Sequence, residues 1–133
     1  MAIRTIGTRR LDWPERLNDV IRAAKSRAHS EIDYCVLFAA DCVLAMTDQD
    51  PAEEYRGLTM DEAIESLDVS LIDKLESLFG PPIHPSRAQR GDVVVRNDDE
   101  KTLGICVGQN SVFLADLGVA FEPTLDSLVA FKV

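Results

Sequence analysis

Cysteine is scarce in this chain and is not arranged for cross-linking. Its three cysteines, Cys35, Cys42 and Cys106, are odd in number and include no Cys-x-x-Cys pair, so neither a disulfide framework nor a zinc motif follows. Cys35 and Cys42 lie roughly 10 Å apart along a helix, too far to bridge or to share a metal. Histidine is scarcer still: His29 and His84 are the only two, which confines imidazole chemistry to those positions. Basic residues are in deficit, 14 against 23 acidic ones, for a net charge of −9. That balance argues against a nucleic-acid or anionic-lipid partner. No apolar run is long enough to span a bilayer, so no membrane insertion is expected. The N-terminal residues hold no signal-peptide core, and no repeat or low-complexity tract is present. No cofactor is expected.

What is present is a chain of 133 residues, 46% hydrophobic and 28% charged, sufficient for one domain with a real core. It is organised around residues 33–46. From Cys35 to Met46 only Asp41 is not apolar. A helix apolar on all sides is buried on all sides, and these residues span only about 18 Å, too short to cross a membrane. The pattern predicts a central core helix, N-capped by Asp33 through its carboxylate. Cys35 then falls in the first turn, where the helix dipole favours a thiolate. Cys35 reads either as a nucleophile at the positive end of a buried helix or as a small apolar core residue.

Around this helix the periodicity changes once. Residues 1–11 hold Arg4, Arg9 and Arg10 and no acidic residue, which reads as a basic arm that docks on an acidic neighbour or frays. Asp12 and Glu15 are spaced as a capping box, with Pro14 in the first turn of an amphipathic helix to Ala28. Thr59 and Glu62 form a second box before Met60, Ala63, Ile64 and Leu67. Ser70 caps a third amphipathic segment, ended by Gly80. An extended proline-bounded linker follows to Gln89. From Arg90 the repeat becomes that of strands: Gly91–Arg96, Leu103–Val107, Ser111–Ala115, Val119–Phe121 and Leu128–Val133. Helices followed by hairpins predict an α+β fold, a helical N-terminal half on a C-terminal antiparallel sheet. The domain is expected over residues 12–133.

Three segments, in order, carry a resemblance. Cys35 at a helix start, Arg90-Gly91-Asp92-Val93-Val94 and Leu103-Gly104-Ile105-Cys106-Val107-Gly108 together resemble the NlpC-type branch of papain-like cysteine peptidases. The run Asp33-Tyr34-Cys35 to Asp41, with Asp50-Pro51 and Tyr55-Arg56-Gly57, is similar to a small family of tailed-bacteriophage proteins found among tail-tip and tail-assembly components. The resemblance implies a papain-like fold, tail-tip or tail-assembly proteins as partners, and a location in the virion tail. It also implies a degenerate site. Alignment of Leu103-Gly104-Ile105 with the family strand puts Thr102 where the general-base histidine stands, and threonine cannot take the proton from Cys35 at neutral pH.

The expected function is therefore a structural component of a tail tip with a degenerate cysteine peptidase-like site. One alternative is an active peptidoglycan peptidase or amidase using Cys35 with His29 or His84. Another is a peptide or small-molecule binding module. Both histidines fall in linkers and read first as solvated surface residues. Asp116, near the family's orienting position, reads first as a turn residue. Asp41, the one charge on the central helix, reads as a buried carboxylate needing a cationic partner, with Arg56 as candidate.

Overall fold

The computed structural model describes residues 6–26, 34–67, 69–97, 102–115 and 118–133. Among the described residues four α-helices come first: α1 (Trp13–Ala24), α2 (Cys35–Thr47), α3 (Met60–Ser66) and α4 (Leu71–Phe79). Five strands follow: β1 (Val93–Arg96), β2 (Leu103–Cys106), β3 (Asn110–Leu114), β4 (Val119–Pro123) and β5 (Ser127–Phe131). They form one antiparallel sheet in the order β4-β3-β2-β1-β5. The α+β architecture expected from the change of periodicity is the one observed.

Strand alternation sorts the sheet into two faces. Val93, Val95, Leu103, Ile105, Val112, Leu114 and Phe131 turn to the helices and join Phe38, Cys42, Val43 and Met46 of α2 in the main core. Val94, Cys106, Phe113 and Ala130 turn away and form a smaller cluster under Ile83 and Ala88. Gly104 sits where β2 and β3 press closest: a Cβ there would lie 2.6 Å from Phe113 and from the Val112 carbonyl. The linker is less open than expected. Ile83 pairs with Ala130 through two backbone hydrogen bonds of 2.8 and 2.9 Å, which extends the sheet beyond β5.

The helix ends divide between expectation and correction. Thr59 and Glu62 form the reciprocal capping box, and Ser70 accepts from the Asp73 amide. Asp12 does not cap α1; its carboxylate turns to Arg16 instead, 3.0 Å away, because a guanidinium is the stronger partner. The proposed cap Asp33 and the proposed helix end Ala28 lie outside the described residues. Nor is α2 buried all round. Leu44 is 37% exposed, and Cys35, Val36, Asp41 and Ala45 are half-buried, because neighbours cover only part of its circumference.

The largest correction concerns residues 1–11, expected as an arm separate from the domain: residues 1–5 lie outside the described residues, but residues 6–10 pack on the domain. Ile6 is buried in the main core, and its amide donates to Leu78 at 3.0 Å. Arg9 donates to the Val133 carbonyl (2.9 Å), the Arg90 carbonyl (2.8 Å) and Asp92 (2.9 Å), and stacks 4.3 Å from the Trp13 ring. Arg10 pairs with Asp48. These two arginines are thus paired with acidic groups of their own chain. Arg4 lies outside the described residues. Gly91 (φ +94°) makes room for this docking, since a Cβ there would come 2.7 Å from Arg9 Nη1.

Arg9→Ala is accordingly expected to destabilise the domain by about 3 kcal/mol, because it strands the buried Asp92 carboxylate. Urea denaturation of the two full-length chains checks this; overlapping curves would mean that the Arg9–Asp92 pair contributes nothing to stability.

Candidate functional site

The site is built on the N-terminal half of α2. Tyr34 is the N-cap residue, in extended conformation, and Cys35 opens the helix, so the first-turn position expected for Cys35 is the one it has. One side of α2 packs on the sheet. The other meets a second cluster made by Tyr34, Leu37, Ala40, Ala52, Tyr55 and Ala63. Between α2, α3, α4 and the edge of the sheet core lies a cavity of about 320 Å³, and Cys35 forms part of its wall. Val93 and Leu103 close it from the sheet. Cys35 is half-buried, whereas Cys42 and Cys106 are fully buried, and none of the three forms a disulfide.

The remaining candidate residues are dispersed. Thr102 is half-buried immediately before β2, where its carbonyl accepts from the Arg96 amide at 2.7 Å. The next residue, Leu103, lines the cavity of Cys35, but Thr102 does not. His84 is exposed and caps the short 3-10 turn Pro85–Arg87: its Nδ1 lies 3.1 Å from the Ser86 amide and 2.8 Å from the Ser86 hydroxyl. It too is outside the cavity wall. His29 and Asp116 lie outside the described residues. Among the described residues, no group of three or more His, Cys, Asp or Glu side chains is placed to hold a metal ion. No helix among them is long and apolar enough to cross a membrane.

Asp41 and Arg56 are brought together, with Arg56 Nη1 2.8 Å from Asp41 Oδ1. The pair is less buried than expected, the side chains being 26% and 33% exposed. Arg56 also holds Asp50, through Nε at 2.7 Å and Nη2 at 3.2 Å, while Asp50 accepts from the Ala52 amide at 3.0 Å. One guanidinium thus ties the middle of α2 to the loop behind it. Burial pushes the Asp50 carboxyl up, but the bonds from Arg56 and Ala52 outweigh it and hold the group below its ordinary value of 3.8.

Two features escaped sequence reasoning. Lys74 of α4 reaches the cavity rim, where it pairs with Glu54 at 3.2 Å and lies 5.9 Å from the Tyr55 ring. Its position in an amphipathic helix carries no sign of this. The second is the Asp92 lock with Arg9. Here there was a signal: a lone carboxylate in front of three valines, in a segment that could only be buried.

These elements define an α+β domain in which a cysteine-bearing helix lies on an antiparallel sheet, beside an apolar cavity. Residues 8–133 match the family model described as Domain of unknown function (DUF6950), and the chain belongs to that family. No curated protein and no solved structure matches it.

Two outcomes test the Arg56 clamp. Arg56→Leu should cost about 2–3 kcal/mol and Asp41→Leu clearly less, since the first strands two partly buried carboxylates and the second removes one. Equal losses in thermal melts would refute the clamp. The sign of the pH effect follows from the depressed Asp50 carboxyl. Its contribution is complete above the ordinary value of 3.8 and is lost as pH falls through the lowered one. The stability gap between wild type and Arg56→Leu should therefore be full at neutral pH and close at strongly acidic pH; a gap that widens on acidification would contradict this.

Proposed function

We propose that the protein is a structural component of a bacteriophage-type tail tip, with a papain-like, NlpC-type fold whose cysteine peptidase-like site is degenerate. The observation that carries this reading is the relation between Cys35 and β2. Cys35 opens the helix that packs on the sheet, and Leu103, the first residue of β2, lines the same cavity. Just before Leu103 the resemblance calls for an imidazole, and the residue is Thr102. Thiolate catalysis needs a base that takes the sulfur's proton and later returns it to the leaving amine, which a threonine hydroxyl does not do at neutral pH. The partners in this reading are other tail-tip or tail-assembly proteins, and the location is the virion tail.

The alternative of a working peptidoglycan peptidase or amidase needs His29 or His84 beside Cys35. The engagement of His84 with Ser86, away from the cavity, weighs against one of the two. The purified protein is expected to release no fragments from peptidoglycan. Hydrolysis that disappears in Cys35→Ala would overturn the degenerate-site reading, and His29→Ala and His84→Ala would then identify the base. The tail assignment is tested separately: the protein should co-purify with intact tails in fixed ratio, and its absence from purified particles would overturn that assignment.

A further inference from the structure

The cavity beside Cys35 has a chemistry of its own. It is walled by α2, α3, α4 and the start of β1 and β2, and its volume of about 320 Å³ is at the lower end of the range of small-molecule sites. Most of the side chains that line it are hydrocarbon, including Val43, Leu67, Leu71 and Leu78. Two of them, Ile64 and Val69, stay 57% and 50% exposed, so apolar surface continues from the cavity to solvent. Exposure of this kind at the mouth of an apolar cavity is a mark of a ligand site.

The polar groups of the wall are already engaged. Lys74 is paired with Glu54 and stands 5.9 Å from the Tyr55 ring, Ser70 accepts from the Asp73 amide, and the Tyr34 hydroxyl donates to the Leu58 carbonyl at 3.4 Å. The first turns of the two short helices bordering the cavity are capped by Thr59 and Ser70. A polar or charged guest lying inside the cavity would lose its water against a wall that is mostly hydrocarbon, a loss that decides against it. A hydrocarbon guest loses nothing of the kind and gains contact on several sides.

We infer that this cavity is a binding site for a small, uncharged hydrocarbon ligand, an alkyl or aryl group that enters between Ile64 and Val69 and lies against α2 beside Cys35. This inference does not rest on the tail-tip reading, and it is measured on the isolated full-length chain.

The test uses the uncharged fluorophore N-phenyl-1-naphthylamine, which brightens on leaving water. The expected result is saturable binding at one site per chain. Ala63→Leu, which fills the cavity, and Val69→Trp, which crowds its mouth, should each weaken binding by roughly tenfold or more. Leu125→Ala removes an exposed leucine that is not part of the wall and should leave binding unchanged. Val69 is half exposed, so Val69→Trp keeps the test valid should Ala63→Leu fail to fold. Cys35 gives a second readout, because the other two cysteines are buried. With the fluorophore at about ten times its Kd, alkylation of Cys35 by iodoacetamide should slow about tenfold. No saturable binding, binding indifferent to both cavity variants, binding abolished by Leu125→Ala, or an unchanged alkylation rate would each overturn the inference.

Discussion

The buried carboxylate of Asp92 is the constraint on which the rest of this domain depends. It is 1% exposed and stands at the entry to β1, the strand between β2 and β5. Its Oδ1 accepts from Arg9 at 2.9 Å and from the Val133 amide at 3.1 Å, and its Oδ2 accepts from the Gln89 amide at 2.9 Å. Lys132 stands 3.9 Å away. A charge so desolvated is tolerated only when its lone pairs are filled by well-placed donors. Those donors come from the segment before α1, the turn before β1 and the residues after β5. Satisfying one carboxylate therefore fixes three separate stretches of chain at one end of the sheet, and with them the side of the sheet on which the helices lie.

That placement in turn creates the site. With α2 laid on the inner face and α1 packed against it, the N-terminal half of α2 projects toward α3 and α4, which are too short to cover it completely. Only Ala63 is buried on α3, although Met60, Ile64 and Leu67 share its apolar stripe. The cavity is the space left between a long central helix and two short ones. Arg56 holds the loop behind it by bridging Asp41 and Asp50, so the wall is fixed by ion pairs on its polar side and by hydrocarbon contact on the other. Cys35 sits where these walls meet the helix start. The same residue that a catalytic reading would take as nucleophile is thus also part of an apolar wall.

Much of the architecture could be read from local pattern, because local pattern is what decides it. The valines at 93–95 and the alternation through Leu103, Ile105, Val112 and Leu114 specify strands with one face inward. Ser70 and the pair Thr59–Glu62 specify helix starts, since a cap and the amides it serves lie within one turn. The pairing of Asp41 with Arg56 was foreseeable because a lone charge in an apolar helix demands a counter-charge and few are near. Asp12 illustrates the limit: it has the spacing of a cap, yet it bonds Arg16, because two local solutions compete and spacing does not rank them.

What the sequence by itself determined, then, is the order and kind of the elements, the inward faces of the strands, the first-turn position of Cys35 and the absence of a histidine at position 102. Each depends on residues within one turn or one hairpin of each other. Only the tertiary structure decided that Arg9 belongs to Asp92, that Ile6 is core, and that a cavity remains between α2, α3 and α4. These depend on groups far apart in the chain, where the partner of a charge and the volume left between helices are set by how whole elements stack. Spacing along a sequence records neither.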